Sequence, residues 1–255
     1  MRKLQEVSSQ LGARFQDYDR VLQPIRSEIS ETFGALAKEK NPEVLARFLM
    51  HFSACGYHMT RQVSDWIKRS GVKCGQQGHP ELGVFLCKHA SQEEGHENLH
   101  LEDLESIIEW NERRTGRASG KADEFLFRCA RNPGVEDYIS FHERNIDGPA
   151  PWRQLAVENE IELLSVTQGP LLIQHIVSIL GFGILNSLSF VKEHSLLDVG
   201  HSYLNLKRID AFLESNPEEV ETMAQAGKEA LEAYALHIES AFESAGREVR
   251  RMSFQ

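Results

Sequence analysis

Apolar residues recur at three- and four-residue spacing along nearly the whole chain, and no segment sustains the two-residue alternation of a half-buried strand. Leu4, Val7, Leu11 and Phe15 form one such stripe, and Leu101, Leu104, Ile107 and Ile108 form another. Prolines act as punctuation. Asn41-Pro42-Glu43, His79-Pro80-Glu81 and Asn216-Pro217-Glu218 each read as a helix start, with Pro in the first turn and acid beside the positive helix end. Glycine-rich breaks fall at 70–78, 115–121 and 145–151. The spacing predicts about seven to nine helices, over 4–20, 24–39, 42–69, 80–113, 121–131, 134–145, 151–180, 184–215 and 217–246. No linker is long or polar enough to divide the 255 residues. The expectation is one all-α domain over residues 1–255, a bundle large enough to bury a site in its middle.

Charge narrows the partners. The net charge is -10, and no run of Lys or Arg exceeds two residues. Such a surface repels phosphate backbones and anionic lipid, so nucleic acid and membrane are not expected as partners. The first 16 residues have basic side chains but no apolar core behind them, unlike a secretory signal. The apolar stretch 170–185, interrupted by Gln174 and His175, reads as too short for a bilayer. Cys55, Cys74, Cys87 and Cys129 show no CxxC spacing. They read as plain core or surface thiols in a reducing cytoplasm.

The eleven histidines carry the functional argument. His89-x3-Glu93-x2-His96 and His194-x3-Asp198-x2-His201 share one pattern, H-x3-[D/E]-x2-H. On a helix, offsets of four and seven residues return to within about 40° of one face, so the three side chains project together. Imidazole with carboxylate favours Fe, Mn or Zn. Glu-x-x-His is the recurring ligand element of di-iron bundles, and Glu93-x-x-His96 supplies it, with Asp198-x-x-His201 as its Asp counterpart. Glu97-x-x-His100 is a reserve pair one turn on. Leu196, Leu197, Val199 and Phe190 flank the second motif, from which a largely buried helix is expected. Further acids come from Glu158, Glu160 and Glu162, among which spacing does not choose; exposed acids at a helix start are the plainer reading. Gln168-Gly169-Pro170 is expected to kink that helix.

With these residues in view, the sequence resembles the haem-oxygenase-like di-iron oxidases and oxygenases, the iron-containing redox enzymes. The likeness lies in HASQEEGHENLHLEDLE, IELLSVTQGPLLIQHIVSILG and FVKEHSLLDVGHSYLNLKRIDAFL, within roughly residues 80–215. It implies a haem-oxygenase-like helical bundle and a metal set of Glu93, His96, Glu162, His194, Asp198 and His201. In an alternative register Gln168 takes the place of Glu162, which would weaken one of the two metal positions; His89 is expected to orient a ligand. The resemblance further implies Fe(II), two per chain, with O2 as co-substrate and a small-molecule substrate of fatty-acid or amino-acid type, in natural-product metabolism among other settings. An external electron donor and a homodimer are compatible with it. The same fold includes metal-independent enzymes, thiaminase II and pyrroloquinoline quinone synthase among them, so the ligands must decide the chemistry.

Two other readings stand beside it. A ferritin-like metal-binding protein without substrate chemistry would carry Glu-x-x-His on two helices and Glu on two more, a pattern that His194 upstream of Asp198 fits less well. Haem binding through a proximal His near the N-terminus is set aside, because the first 50 residues contain no His. Phe52, Tyr57, Trp66, Phe182 and Phe190 are candidate walls of a substrate site, though aromatics at helical spacing are more often core. Arg47, Arg61, Lys88 and Lys192 are candidate partners for a substrate carboxylate. Leu231, Tyr234, Ile238 and Phe242 form a stripe suited to the core or, less simply, to an interface.

Overall fold

The computed structural model describes residues 2–252, which form helices joined by short turns, with no strand among them. In chain order the α-helices are α1 (Arg2–Ser8), α2 (Ala13–Leu36), α3 (Pro42–Thr60), α4 (Val63–Gln76), α5 (Pro80–Gln92), α6 (Glu97–Thr115), α7 (Ala122–Cys129), α8 (Pro133–Asp147), α9 (Arg153–Leu180), α10 (Ser189–Ser215) and α11 (Val220–Met252). Short 3-10 turns at Phe182–Ser187 and Pro217–Glu219 lead into α10 and α11.

Local chemistry sets the starts. Asn41 accepts a hydrogen bond from the Glu43 amide (2.9 Å), and Asn132 accepts one from Gly134 (2.9 Å). Each is followed by proline in the first turn, where the missing amide costs nothing. The described residues hold eleven α-helices rather than seven to nine, because two expected long helices are broken. The 42–69 span divides at Arg61–Gln62, and the 80–113 span divides at 93–96, where Gly95 has φ +88. Pro24, expected to mark a boundary, lies inside α2. The apolar stripe Phe15, Tyr18, Leu22, Ile25 and Ile29 is buried on both sides of it, so packing outweighs the lost backbone hydrogen bond.

Helix α11 packs against α2, α3, α8 and α9, while α9 lies along α10. Leu231 and Ile238 of the α11 stripe are buried, and Tyr234 and Phe242 pack partly buried against the core, so the stripe is core. Helix α9 continues through Gln168-Gly169-Pro170. A Cβ on Gly169 would lie 2.3 Å from Ser195 Oγ, so glycine there lets α10 approach. As a whole, α9 is long and apolar enough to cross a membrane by length and composition, which the shorter stretch 170–185 did not suggest. Its first half, however, buries Glu158, Glu160 and Glu162 inside the bundle.

Buried apolar side chains fall into two clusters, one around α3, α6 and the C-terminal half of α11, the other around α2, α5 and the start of α9. Phe33, Val63, Ile161 and Tyr234 touch both. All four also line one internal cavity of about 100 Å³, so the cavity sits at the seam between the clusters.

His142 offers a test of the packing. It is buried, lies flat on Trp66 with ring centres 4.2 Å apart, and burial pushes its pKa down to about 3. The unfolded chain therefore takes up this proton first, so the contribution to stability is complete above about pH 6.5 and is lost as pH falls toward 3. Urea unfolding between pH 6 and pH 4 should give a shallower loss of stability in His142→Gln than in the wild type, by up to about 1.4 kcal/mol per pH unit. Equal slopes would contradict a neutral buried imidazole.

Candidate metal centre

The two histidine motifs meet head to tail. His89 lies near the end of α5, Glu93 follows its last turn, and His96 immediately precedes α6. The first motif is therefore not on one continuous helix, as the spacing suggested, but wraps the Gly95 turn. The second motif stays on α10. His89 faces His201 (ring centres 5.1 Å apart) and His96 faces His194 (4.9 Å), so the first imidazole of each motif meets the last of the other.

Glu93 lies between these pairs. Its Oε1 is 3.6 Å from His89 Nε2 and 3.9 Å from His201 Nδ1; its Oε2 is 3.0 Å from His96 Nδ1. Glu162 reaches the first pair from α9, with Oε1 2.8 Å from His89 Nε2 and 3.4 Å from His201 Nδ1. Two groups of ligand-type atoms result, each within 4.8 Å of one another: His89, Glu93, Glu162 and His201, and then Glu93, His96 and His194. Such separations are what donors at about 2.0–2.2 Å from a common ion would leave. Glu93 belongs to both groups.

Neighbouring residues aim these side chains. Asn205 donates from Nδ2 to Glu162 Oε2 (2.6 Å), turning Oε1 toward the histidines. His194 donates from Nδ1 to the Phe190 carbonyl (2.9 Å), and burial keeps this imidazole neutral by lowering its pKa. Its Nε2 lone pair therefore points at His96 Nδ1, 3.2 Å away. A single hydrogen on that nitrogen would have to serve both His194 and Glu93. In the first group, His89 Nε2 and Glu162 Oε1 form a buried ion pair at 2.8 Å, and His201 Nδ1 lies 3.4 Å from the same oxygen. Against the burial that would lower it, Glu162 and Glu93 push the His89 pKa up to about 11. Burying ion pairs is itself costly, because the desolvation of both members offsets their attraction. A cation in place of the imidazole protons would accept the lone pairs of these imidazoles and carboxylates together, so the residues present fit metal binding.

Asp198 stands beside the groups rather than within either. Its Oδ1 is 3.7 Å from His201 Nδ1, and burial, reinforced by Glu162 and Glu93, pushes its pKa up to about 9. Burial likewise raises Glu158 to about 8 on the cavity wall. Against the burial that would raise it, the His89 and His96 imidazoles hold Glu93 well below the usual carboxylate range.

Of the residues singled out by sequence, Glu93, His96, Glu162, His194 and His201 come together, with Asp198 adjacent. Gln168 instead donates to Ser30 Oγ (3.1 Å), and Glu160 pairs with Arg26 (2.7 Å). The expectation of exposed acids fails, since Glu158, Glu160 and Glu162 are all buried. His100 of the reserve pair stacks on Phe190 outside both groups, and Glu97 is partly exposed. His89, expected only to orient a ligand, stands inside the first group; its place in H-x3-E-x2-H, equivalent to that of His194, was the available signal.

The cavity opens beside this cluster, lined by Glu93, Glu162, His194 and Asp198 on one side and by Phe52, Phe190, Met59 and Leu172 elsewhere. Only Phe52 and Phe190 of the expected aromatic walls line it. Trp66 is held in the core on His142, Tyr57 lies against His58, and Phe182 is 81% exposed in the turn before α10. None of Arg47, Arg61, Lys88 and Lys192 lines it; Arg47 donates to the Ser119 carbonyl and Lys192 to that of Leu185. The burial expected around 194–201 is one-sided. Leu196 is 77% exposed and Leu197 50%, because positions between 194, 198 and 201 fall on the opposite face of α10.

No protein-family model matches the chain, and no curated protein matches it. Its structure is similar to the crystal structure of a domain of unknown function with a haem oxygenase-like fold from Shewanella denitrificans OS217, with a TM-score of 0.67. That match covers 88% of this chain and 92% of the other at 17% identity. The chain has a haem-oxygenase-like fold. At this identity the likeness speaks for the fold alone, and the side chains carry the chemistry.

The shared position of Glu93 predicts a distinct titration pattern. With Co(II) as a spectroscopic probe, Glu162→Ala should bind about half the metal of the wild type, whereas Glu93→Ala should lose both equivalents. Equal losses in the two variants would show that Glu93 is not common to two sites.

Proposed function

We propose that the protein is a non-haem di-iron enzyme that activates O2 to oxidise or oxidatively cleave a small molecule. The observation that carries this reading is the convergence of His89, Glu93, Glu162 and His201 into one buried group, with the same Glu93 also meeting His96 and His194. Imidazole with carboxylate is a donor set suited to Fe(II), and the apolar cavity beside it suits a small substrate. When bound, iron supplies the redox chemistry of O2 reduction.

The chain's own residues have definable parts in this scheme. His89, Glu93, Glu162 and His201 would hold one ion, with Asp198 3.7 Å from His201; Glu93, His96 and His194 would hold the other. Asn205 and the Phe190 carbonyl fix the donors Glu162 and His194. Phe52, Phe190 and Leu172 give the cavity an apolar wall. Glu158, neutral in its buried setting, keeps a proton on the cavity wall. A fatty-acid- or amino-acid-type substrate would meet no Lys or Arg among the lining residues, so a substrate carboxylate would have to be bound at the metals. An external electron donor, a homodimeric assembly and a cytoplasmic setting belong to the same proposal; the free cysteines support the last. In a metal-independent enzyme of this fold the cluster would be held by its ion pairs alone, His89 with Glu162 (2.8 Å) and His96 with Glu93 (3.0 Å).

Anaerobic titration of the apo-protein with Fe(II), followed by an O2 pulse observed by stopped-flow absorbance, tests the proposal. Uptake near two irons per chain and rapid oxidation with a transient visible band are expected. No uptake would leave a metal-free enzyme of this fold, and uptake with slow, featureless oxidation would favour metal storage.

A further inference from the structure

Helix α9 separates the metal cluster from a second space. Glu162 faces the cluster, whereas Glu160, two residues and about 200° around the helix, lines a groove of about 700 Å³ bordered by α1, α2 and α10. Leu164 and Gln168 continue the Glu160 row at four-residue spacing, and both line the groove and the inner cavity. The two spaces therefore share a wall at the seam between α2 and α9. A third space of about 120 Å³ lies in the same seam, and Gln168 lines it too, with Phe33 and Leu172 of the inner cavity. Gln168, expected in one register as a metal ligand, thus stands where all three meet. What closes the seam is slight. The Gln168 amide donates to Ser30 Oγ (3.1 Å), while α2 packs mainly on α11 and α9 mainly on α10 and α11, so that α2 and α9 touch little. Pro170 has no amide for the Val166 carbonyl, so α9 lacks a backbone bond beside Gln168.

The groove's polar side chains spend their donors on the protein itself. Arg26 donates to both oxygens of Glu160 (2.7 and 2.8 Å) and to Asp19, the Gln23 amide donates to Asp19 (3.0 Å), and the Gln16 amide to the Ser8 carbonyl (2.7 Å). Ser30 and Thr167 give their hydroxyl protons to the Arg26 and Leu164 carbonyls. What these side chains leave for a ligand is acceptors: the amide oxygens of Gln16, Gln23 and Gln168 and the Asp19 carboxylate. With Asp19 and Glu160 set against Arg26, the lining carries one net negative charge among the described residues. A primary ammonium, with three donors and a positive charge, is the complement of such a lining, and a carboxylate is not. We propose that the seam between α2 and α9 is the substrate entrance. The outer groove binds the primary-amine head of an amphipathic substrate, and its apolar part passes Leu164 and Gln168 into the cavity. This rests on the proposed function only in taking the cavity as the place of reaction.

The metal-free full chain, kept in chelator, is titrated by calorimetry with n-butylamine, n-hexylamine, n-octylamine and n-octanoate. Saturable binding of one amine per chain is expected, with octylamine at least ~10-fold tighter than octanoate. Affinity should rise about three- to fourfold per methylene as the tail enters the cavity. Gln168→Trp, which fills the seam without changing charge, should abolish this dependence on chain length; Leu164→Trp serves as a second such variant if the first does not fold. Asp19→Asn should remove the preference for amine over acid, and Asp17→Asn, the same loss of charge outside the groove, should not. Absence of saturable amine binding, octanoate binding as tightly as octylamine, or a length dependence that survives in the folded Trp variants would overturn the proposal. Because no metal is present, these results are separate from Co(II) uptake: amine binding without metal uptake would sink the di-iron reading and not the entrance.

Discussion

The carboxylates of Glu93, Glu162 and Asp198 are buried beside the imidazoles of His89, His96, His194 and His201, and this concentration of ionisable groups is what the bundle has to accommodate. Removing unpaired charges from water costs several kcal/mol per ion even after relaxation, so such a cluster persists only if its members neutralise one another or share a cation. The helices meet that demand by geometry. The Gly95 turn bends the first motif back so that Glu93 presents one oxygen to each histidine pair. The close contact of Gly169 with Ser195 brings α10 against α9, placing Glu162 among the α10 histidines.

The cavity follows from the same arrangement. Polar groups in the middle of the bundle divide its apolar interior into two clusters, and the side chains that touch both are those that line the space between them. One wall is therefore a row of donors and the opposite wall is aromatic and aliphatic. A second layer of polar contacts lies behind the first: Arg26 pairs with Glu160, and Tyr18 donates to the same carboxylate (2.9 Å). That pairing keeps Glu160, two residues from Glu162, turned away from the cluster.

Much of this was legible in the sequence because helical periodicity is local. The three-and-four spacing gave the all-α class, and the repeated H-x3-[D/E]-x2-H pattern marked the residues that converge. What escaped was set by tertiary geometry. The α5–α6 break depends on one glycine at positive φ, and the inclusion of His89 depends on two segments meeting head to tail. Leu196 and Leu197 look like core by composition, but only the partner packed against α10 decides which face is covered. Trp66 and Phe182 failed as cavity walls for the same reason: residue type says what a side chain is suited to, not which space it borders. The meeting of Gln168 with Ser30, 138 residues apart, had no local signature at all.

The proposed function requires these residues to hold two metal ions that share Glu93. Crystals grown anaerobically with Fe(II) and measured at the iron absorption edge test it most directly. Two anomalous peaks per chain are expected, one among His89, Glu93, Glu162 and His201 and one among Glu93, His96 and His194, with the Glu93 carboxylate between them. An anomalous map with no peak in this cluster, its imidazoles and carboxylates instead bonded to one another or to water, would contradict it.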